Sequence, residues 1–178
     1  MAAAITTPPA RPGVGKVLFI MSHTVEILSV GTELLLGNVA NTDAQFLSEM
    51  LASVGVDVLY HTAVGDNPAR LREVVDIARG RANLLVFTGG LGPTYDDMTK
   101  QTVCEAFGLG LEFHPEIVEE IRHYFDTVFR REMPACNLQQ AYLPRGCTVL
   151  HNPVGTAPGC IFETGGVTAV LLPGVPHE

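Results

Sequence analysis

The strongest constraint on this chain is a pattern that occurs three times: a short apolar run, a glycine turn, and a segment with helical spacing. The apolar runs are Val25–Val30, Val56–Tyr60, which can continue to Val64, and Asn83–Phe87. Such runs between helical segments are typical of strands buried in a parallel sheet. Because the crossover between two parallel strands is right-handed, the pattern predicts a sheet covered by helices on both faces.

Start and stop signals place the first two helices. Thr42 and Gln45 form a capping box, which predicts a helix that begins at Thr42 and ends before Gly55. The apolar residues of this helix at helical spacing are Phe46, Leu47, Met50, Leu51 and Val54. Asn67 and Pro68 start the second helix, because proline is favoured at the first helical position.

Two further helices follow the third strand. One is predicted from about Asp97 to Phe107, and Gly108 ends it. The other covers Pro115–Phe129, with Val128 among the residues of its apolar face. These helices supply the remaining cover for the sheet.

The last part of the chain has the pattern of β-structure. Its predicted strands are Thr148–Leu150, Gly159–Glu163 and Val167–Leu172, and Thr164–Gly166 is a hairpin turn between the last two. The predicted fold is therefore an α/β three-layer sandwich, helix over sheet over helix. Its sheet is mostly parallel, with an antiparallel strand or hairpin near the C-terminus.

The chain of 178 residues is long enough for one domain with a substantial core. Residues 1–15 are rich in proline and alanine, and the apolar stretch after Lys16 is too short for a signal peptide. We therefore predict that residues 1–22 are a disordered leader or follow from a misassigned start, with Met21 as the natural start. Residues 23–178 are predicted to form the domain.

Composition narrows the class of protein. Hydrophobic residues make up 47% and charged residues 17% of the chain, which is typical of a globular protein. The net charge is −8 and no run of Lys or Arg occurs, so we expect no nucleic-acid partner. No apolar run approaches the length of a membrane span, and four cysteines without a C-x-x-C motif indicate free thiols in a reducing cytoplasm.

Acidic residues follow each of the three predicted parallel strands. Glu33, Asp66 and the pair Asp96 and Asp97 each come after a glycine turn. Because sites in such sheets form beyond the carboxyl ends of the strands, we expect these acids to lie along one rim. A divalent cation that bridges carboxylate and phosphate oxygens would explain why acids stand beside turns that otherwise suit phosphates.

A structural role for the same acids stays open at this point. Thr94–Asp97 also fits a capping box, and a helix dipole stabilises an Asp at a helix start. Asp66 can serve a turn before Asn67. Glu33 is harder to explain in this way, because an unpaired carboxylate beside the apolar run Leu34–Leu36 is costly. The coincidence of three such turns favours a functional site.

Other candidates are weaker. The six histidines form no H-E-x-x-H motif, and neither a G-x-S-x-G nucleophile turn nor a G-x-G-x-x-G dinucleotide fingerprint occurs. Asn137 and Gln140 fit surface amides and ligand-binding groups equally well, and Gly155–Gly159 reads as a turn.

Five segments together resemble the N-terminal domain of the CinA (competence/damage-inducible protein) family. They are "VGTELLLGNVANTDAQFLSEMLASVGVDV", "TAVGDN", "LVFTGGLGPTYDDMTKQT", "NPVGTAPG" and "LLPGVPHE". That domain is a member of the molybdopterin-binding superfamily with MoaB and MogA. The resemblance covers about Val25–Glu178, and its most specific motifs are "GTELLLG" and "TGGLGPT" followed by two aspartates.

The resemblance implies a fold and two kinds of activity. The superfamily fold is a three-layer α/β/α sandwich. CinA-type N-terminal domains are associated with hydrolysis of ADP-ribose that depends on a divalent metal (Mg, Co or Mn) and is assisted by potassium, whereas MogA-like members handle molybdopterin. The resemblance therefore implies a small-molecule partner, a nucleotide or a pterin phosphate.

The family motifs also imply roles for single residues. Asp97, Asp96 and Glu33 would be the catalytic acids. The metal ligands would be Asp97, Asp66 and Glu33. The phosphate-binding residues would be Thr88, Gly89, Gly90, Gly92 and Thr94. The substrate-binding residues would be Gly31, Asn137, Gln140, Asn152, Gly155 and Thr156.

Two features depart from the family pattern. Cys136 stands where a polar residue is expected before Asn137, and the sequence stops at Glu178, where the family continues into another helix. A shortened C-terminus would weaken dimerisation or one pocket wall, and the nicotinamide mononucleotide deamidase domain of many members is absent from these residues. We expect a cytoplasmic homodimer that hydrolyses a nucleotide pyrophosphate. The alternatives are a molybdopterin-binding module without hydrolase activity and a non-catalytic partner of a deamidase domain.

Overall fold

The structure, a computed structural model, describes residues 23–174. The predicted leader, including the apolar stretch after Lys16, lies outside these residues. The strands are β1 Val25–Val30, β2 Val58–Val64, β3 Leu84–Thr88, β4 Leu111–Phe113, β5 Tyr142–Pro144, β6 Thr148–Leu150, β7 Gly159–Thr164 and β8 Val167–Leu172. The α-helices are α1 Thr32–Leu35, α2 Thr42–Ser53, α3 Pro68–Arg79, α4 Thr99–Phe107 and α5 Pro115–Tyr124. A π-helical turn spans Phe125–Phe129, and a 3₁₀ helix spans Ala135–Ala141.

Six strands form the main sheet in the order β2-β1-β3-β8-β7-β6. Strands β2, β1, β3 and β8 are parallel, whereas β7 and β6 are antiparallel to their neighbours. Gly165 and Gly166 turn the chain between β7 and β8 with φ of 61° and 77°, the left-handed conformation that tight hairpins require. The predicted fold class is confirmed: a mostly parallel sheet with an antiparallel hairpin near the C-terminus.

Side chains of the parallel strands alternate between two apolar layers. On β1, Leu28 and Val30 join the core under α3 and α4, while Val25 and Ile27 pack on the opposite face against α2. Strand β3 divides its side chains in the same way. Because both faces of the sheet bury apolar residues, helices must cover both, and the three-layer arrangement follows.

A third apolar cluster lies beside the antiparallel end of the sheet. It joins α5 to the 3₁₀ helix and β5, and its buried members are Ile117, Val118, Ile121, Phe125, Ala141 and Leu143. Strands β4 and β5 form a separate antiparallel pair next to it. This unit places the 3₁₀ helix and the loop after β6 close to the carboxyl ends of the parallel strands. None of the helices described for residues 23–174 is long and apolar enough to span a membrane.

The predicted cap and apolar face of α2 were partly wrong. Asn41, not Thr42, is the N-cap, and its side chain accepts a hydrogen bond from the Ala44 N–H at 3.2 Å. Phe46 and Met50 were assigned to the buried face but are 61% and 52% exposed. Leu47 and Leu51 pack against the sheet instead. The helix buries only a narrow stripe, because only one of its sides contacts the sheet.

The two helices after β3 also differ from the prediction, each at one end. Helix α4 begins at Thr99 rather than Asp97, because Asp97 is held in the preceding turn by hydrogen bonds from Thr94. The helix predicted over residues 115–129 changes to a π-helical turn after Tyr124. The wider turn rotates the side chains that follow, and Val128 is exposed instead of buried.

Short elements account for the other differences. Strand β2 begins at Val58 and continues to Val64, and β3 is displaced by one residue to Leu84–Thr88. Helix α1 and strands β4 and β5, which have three or four residues each, were not predicted. Elements of this length carry too few residues to show a hydrophobic period.

Candidate functional site

A cavity of about 410 Å³ opens at the carboxyl ends of the four parallel strands. We call it the first cavity. The segments that leave all four strands contribute to it, namely Val30, Gly31, Glu33 and Leu34 after β1, Asp66 after β2, Thr88–Pro93 after β3 and Pro173–Gly174 after β8. The start of α2 adds residues 39–43, and Gln140, Thr156 and Ala157 close one side. The position matches the rule that ligands of parallel sheets bind beyond the strand ends.

Five carboxylates line the first cavity: Glu33, Asp43, Asp66, Asp96 and Asp97. The four acids singled out in the sequence are therefore brought to one cavity. No Lys, Arg or His of the described residues lines it. A free phosphate would be repelled by these carboxylates and would meet no basic side chain of the described residues here, whereas a cation would be attracted.

Asp66 joins the loops after β1 and β2. Its Oδ2 accepts a hydrogen bond from the Thr32 N–H at 2.8 Å, and its own N–H donates to Thr32 Oγ1 at 3.1 Å. This reciprocal pair fixes the spacing of the two loops. It leaves Asp66 Oδ1 available to a ligand, so a positioning role and a metal-ligand role are compatible in one side chain.

Asp97 closes the turn that precedes α4. Its Oδ2 accepts hydrogen bonds from the N–H and the hydroxyl of Thr94. A Cβ atom added to Gly92 would lie 2.6 Å from Asp97 Oδ2, so the absence of a side chain at Gly92 gives the carboxylate its place. Gly31 likewise leaves room for the carboxylate of Glu33, since a Cβ added to Gly31 would lie 2.4 Å from Glu33 Oε1.

The glycine turn after β3 cannot carry side chains. Gly89 and Gly90 have φ of 91° and 67°, in the left-handed region. An added Cβ would lie 2.2 Å from the Val30 carbonyl oxygen at Gly89 and 2.1 Å from Thr99 Oγ1 at Gly90. The backbone therefore forms the cavity wall, and its N–H groups can approach an anion closely. Thr99 Oγ1 is buried and has no hydrogen-bond partner among the described residues.

A hydrogen-bonded polar cluster that the sequence analysis missed lies under this wall. Asn41 Nδ2 donates to Ser29 Oγ at 3.0 Å, and Thr88 Oγ1 donates to the same oxygen at 3.2 Å. Asn41 and Thr88 line the first cavity, while Ser29 is buried beneath them. The contacts tie the start of α2 to the ends of β1 and β3. The only signal in the sequence was the serine within the apolar run of β1.

Asp43 is the second residue that the sequence analysis missed. It lies in the first turn of α2, where the helix dipole favours an anion. Burial nevertheless raises the pKa of the Asp43 carboxyl above its ordinary value. The sequence did not identify Asp43 as a site residue, because a role at the helix start explains an Asp at this position equally well.

Lys100 holds the wall opposite the acids. Its side chain is buried, and Nζ donates to the carbonyl oxygens of Gln139 at 3.2 Å and Gln140 at 3.0 Å. Burial lowers the pKa of Lys100 from 10.5 to about 8. Gln140 in turn accepts a hydrogen bond from Asn137 Nδ2 at 2.8 Å and donates to Thr156 Oγ1 at 3.3 Å. The ammonium group thus anchors the 3₁₀ helix from which Gln140 reaches the first cavity.

The remaining predicted site residues are distributed differently. Thr88, Gly89, Gly90, Gly92 and Gly31 line the first cavity, as do Gln140 and Thr156. Thr94 supports Asp97, and Asn137 is buried behind Gln140. Asn152 and Gly155 line a second cavity of about 580 Å³ beside α5, and Thr156 lines both.

The acids do not form a complete metal cage. Among residues 23–174, no three His, Cys, Asp or Glu side chains lie close enough to hold a metal ion by themselves. Mg²⁺ commonly binds through one or two carboxylates, substrate phosphate oxygens and waters. Carboxylates next to a backbone wall suited to phosphate fit that mode of binding, in which the ligand completes the metal site.

Comparisons with known proteins show the family to which the chain is similar. A family model described as a probable molybdopterin binding domain matches residues 26–178. A putative competence-damage inducible protein of Acetivibrio thermocellus is 53% identical over 153 residues, which are 86% of this chain and 37% of the relative. A CinA-like protein of Crocosphaera subtropica is 51% identical over 156 residues, or 87% of this chain and 38% of the relative. The chain thus spans less than half of these curated relatives.

Solved structures show the same relationship. A CinA protein from Thermoplasma acidophilum has a TM-score of 0.80 and 32% identity, covering 88% of this chain and 91% of that one. MoaB, a molybdopterin biosynthesis enzyme from Thermus thermophilus, has a TM-score of 0.56 and 23% identity, covering 87% of this chain and 83% of that one, and shares the fold. The chain therefore belongs to the family of probable molybdopterin binding domains, among the CinA proteins.

Proposed function

We propose that this domain catalyses the metal-dependent hydrolysis of a nucleotide pyrophosphate such as ADP-ribose. One observation carries the proposal: carboxylates and a side-chain-free glycine turn line the same cavity, and no basic side chain of the described residues does. An acidic cavity with a phosphate-binding wall suits a metal–diphosphate complex better than either component alone.

The chain's own groups have separate tasks in this proposal. Asp97, together with Asp66 or Glu33, would hold a divalent metal whose remaining ligands are diphosphate oxygens and waters, and that metal would supply charge neutralisation and a more acidic water. The backbone N–H groups of Gly90–Gly92 would hold the diphosphate. Water attacks one phosphorus atom, the P–O bond to the bridging oxygen breaks, and AMP and ribose 5-phosphate leave. Asp96 lies exposed at the cavity edge and would take the proton from the attacking water.

Turnover of ADP-ribose tests the proposal directly. The purified protein is incubated with ADP-ribose and Mg²⁺, Mn²⁺ or Co²⁺, with and without potassium, and AMP is measured. We expect AMP and ribose 5-phosphate in equal amounts, formed only with a divalent metal and faster with potassium. Metal-independent turnover, or none with any of the three metals, would contradict it.

A second candidate function is binding of molybdopterin without hydrolysis. The observation in its favour is the family description, a probable molybdopterin binding domain. Titration with molybdopterin and with ADP-ribose separates the two candidates, since a binding module would retain the pterin and leave the pyrophosphate intact. A third candidate is a non-catalytic partner of a deamidase domain, because the chain spans only 37% of a curated relative.

We also propose that the domain acts in the cytoplasm as a homodimer. All four cysteines carry free thiols, which a reducing compartment maintains. Exposed apolar side chains of α1, α2 and the loop between them supply a surface for a second copy, namely Leu35, Leu36, Val39, Phe46 and Met50. Analytical ultracentrifugation of the protein and of Phe46→Glu tests this, with a dimer expected for the first and a monomer for the second.

A further inference from the structure

The second cavity lies between α5 and the loop at residues 151–158. Its lining residues are Ile117, Glu119, Glu120, Ile121, His123, Tyr124, His151, Asn152, Pro153, Gly155, Thr156 and Pro158. A volume of about 580 Å³ lies within the range of small-molecule sites. The roles proposed above for the acids and the glycine turn do not use this cavity.

Its walls suit a flat ring rather than a phosphate. Ile117 and Ile121 supply apolar surface from α5, and Pro153 and Pro158 supply it from the loop. Tyr124 and His151 add aromatic surface, on which a planar heterocycle can stack. Sites of this kind are mostly apolar, with a few polar groups that fix the orientation of the ligand.

Two acidic side chains of the second cavity each contact a nitrogen-bearing side chain. His151 Nδ1 lies 2.9 Å from Glu120 Oε1, and Glu119 pairs with Arg122. This pairing contrasts with the first cavity, where carboxylates outnumber cations. A ring with both hydrogen-bond donors and acceptors fits the pair, since a carboxylate oxygen accepts from a ring amino group and the imidazole Nε2 can form a hydrogen bond with a ring nitrogen.

Loop hydrogen bonds hold the cavity open without a ligand. Tyr124 Oη donates to the Val154 carbonyl at 2.7 Å, and Asn152 Nδ2 donates to the Ala157 carbonyl at 3.0 Å. Asn152 Oδ1 accepts from the Val154 N–H at 3.1 Å. The polar groups of Asn152 therefore shape the loop, and Glu120 and His151 are among the polar side chains of this cavity that can face a ligand.

The two cavities meet at Thr156. This residue lines both of them, Ala157 lines the first and Pro158 the second. Gln140 Nε2 donates to Thr156 Oγ1 at 3.3 Å and holds this boundary in place. Thr156 is therefore the residue that a ligand would pass if its diphosphate lay in the first cavity and its ring in the second.

We propose that the second cavity binds the fused nitrogen heterocycle of the ligand whose diphosphate lies in the first cavity. This inference rests on the proposed function, and a purine or a pterin supplies the same chemistry. Glu120 accepts a hydrogen bond from the ring amino group, His151 contacts a ring nitrogen, and Ile121 packs against the ring.

Binding of ligand fragments tests the proposal without any turnover. The probes are α,β-methylene-ADP and methylenediphosphonate with Mg²⁺, and adenosine and pterin-6-carboxylate alone, measured by calorimetry and by NMR shifts of the protein. The variants are His151→Ala and Glu120→Gln. The matched control is His61→Ala, on β2 at the opposite edge of the sheet, where the ring contacts only Ser48 among the bonds described.

We expect both variants to bind α,β-methylene-ADP about tenfold more weakly than the wild type, as for one lost charged hydrogen bond. Binding of methylenediphosphonate should not change, and His61→Ala should match the wild type for every probe. The tighter-binding ring probe identifies purine or pterin. Failure of methylenediphosphonate to bind would count against the metal–diphosphate site alone. Equal loss of both phosphate probes, or no shift near Tyr124 with either ring probe, would overturn the second-cavity proposal.

Discussion

Asp97 and Thr94 are joined by three hydrogen bonds, because Oδ2 of the carboxylate accepts from both the N–H and the hydroxyl of the threonine, and the Asp97 N–H donates to the Thr94 carbonyl oxygen at 3.1 Å. Both residues belong to the turn before α4, not to the helix itself. One oxygen of Asp97 is thereby used for structure, and Oδ1 is left for a ligand. The capping role and the metal role considered for this residue are therefore compatible.

The variant Asp97→Asn separates these two roles. The amide oxygen can still accept from the Thr94 N–H, so we expect the free energy of unfolding to fall by at most about 1 kcal/mol. The metal site loses a charge and a hard oxygen ligand, so kcat for ADP-ribose should fall on the order of a hundredfold, or roughly 3 kcal/mol. Thermal melting and a turnover assay on the same preparation measure both effects.

Asp96→Asn is the companion variant. Asp96 lines the first cavity and is exposed, and its side chain makes no hydrogen bond in the described part of the chain, while its backbone carbonyl accepts one from the Met98 N–H at 3.0 Å. We expect unchanged stability and a smaller loss of kcat, because only proton transfer is affected. Should Asp97→Asn lower stability and spare turnover, Asp97 would be a turn residue alone. A larger effect of Asp96→Asn would move the principal catalytic role to Asp96.

Gly92→Ala is predicted to damage the site more than the fold. The new Cβ would lie 2.6 Å from Asp97 Oδ2, while φ of Gly92 is not in the left-handed region. The flexible carboxylate has to move, so we expect at least a tenfold loss of kcat with a melting temperature within a few degrees of the wild type. Gly110→Ala is the matched control, since an added Cβ there meets nothing within 4 Å. Similar activity in both variants would show that the position of Asp97 is not critical.

The sheet could be predicted because its signals are local and repeated. Strand β8 was predicted with both of its bounds, Val167–Leu172, since a glycine hairpin and an apolar run mark it. The turns after β1, β2 and β3 follow from the same pattern, and parallel strands necessarily bring their ends to one edge. The convergence of Glu33, Asp66 and Asp97 was thus accessible from the sequence.

Other parts of the site depend on contacts that no local pattern records. Asn41 reaches Ser29 across the gap between a helix start and a strand, and Thr42 is an equally good cap by residue type. Asp43 was hidden for the same reason. The second cavity arises where α5 packs beside residues 151–158, about thirty positions later in the chain. Only the tertiary structure brings these segments together.

Lys100 gives a prediction about stability at alkaline pH. Its folded-state pKa of about 8 lies below its ordinary value of 10.5, so the unfolded chain binds more protons between these limits. The cost of burying the charge is present below about pH 8 and disappears as pH rises towards 10.5. Relative to Lys100→Met, the wild type should therefore gain up to roughly 3 kcal/mol of unfolding free energy over this window.

Urea unfolding of both proteins from pH 7 to pH 10 measures the difference. The groups that act on Lys100 are Asp97 and the thiols of Cys104, Cys147 and Cys160, and all four stay in the variant. Subtracting the curve of unfolding free energy against pH for the variant from that for the wild type removes most of the effect of these four groups' own titration. Parallel curves would show that Lys100 keeps an ordinary pKa in the folded protein.

For Asp43 we expect the opposite dependence on pH, with a contribution to stability that decreases as the pH rises from the acid range. Burial raises the pKa of its carboxyl, so the folded protein holds this proton more tightly than the unfolded chain. The stabilisation that comes from this tighter proton binding is complete below pH 3.8, the ordinary pKa of Asp. It is lost as pH rises through the raised pKa of Asp43 in the folded protein. The ionised Asp43 therefore opposes folding at neutral pH, and Asp43→Asn should be at least as stable as the wild type there.

The same substitution should weaken the site. Asp43 is one of five carboxylates around the first cavity, so Asp43→Asn removes part of the attraction for a divalent metal. We expect a severalfold rise in the metal concentration needed for half-maximal ADP-ribose turnover, together with unchanged or higher melting temperature at pH 7. Glu49→Gln, which removes one carboxylate from an exposed position of the same helix outside the first cavity, is the control and should leave the metal requirement unchanged. Loss of stability in Asp43→Asn at neutral pH would mean that the helix dipole, and not burial, dominates at this carboxyl.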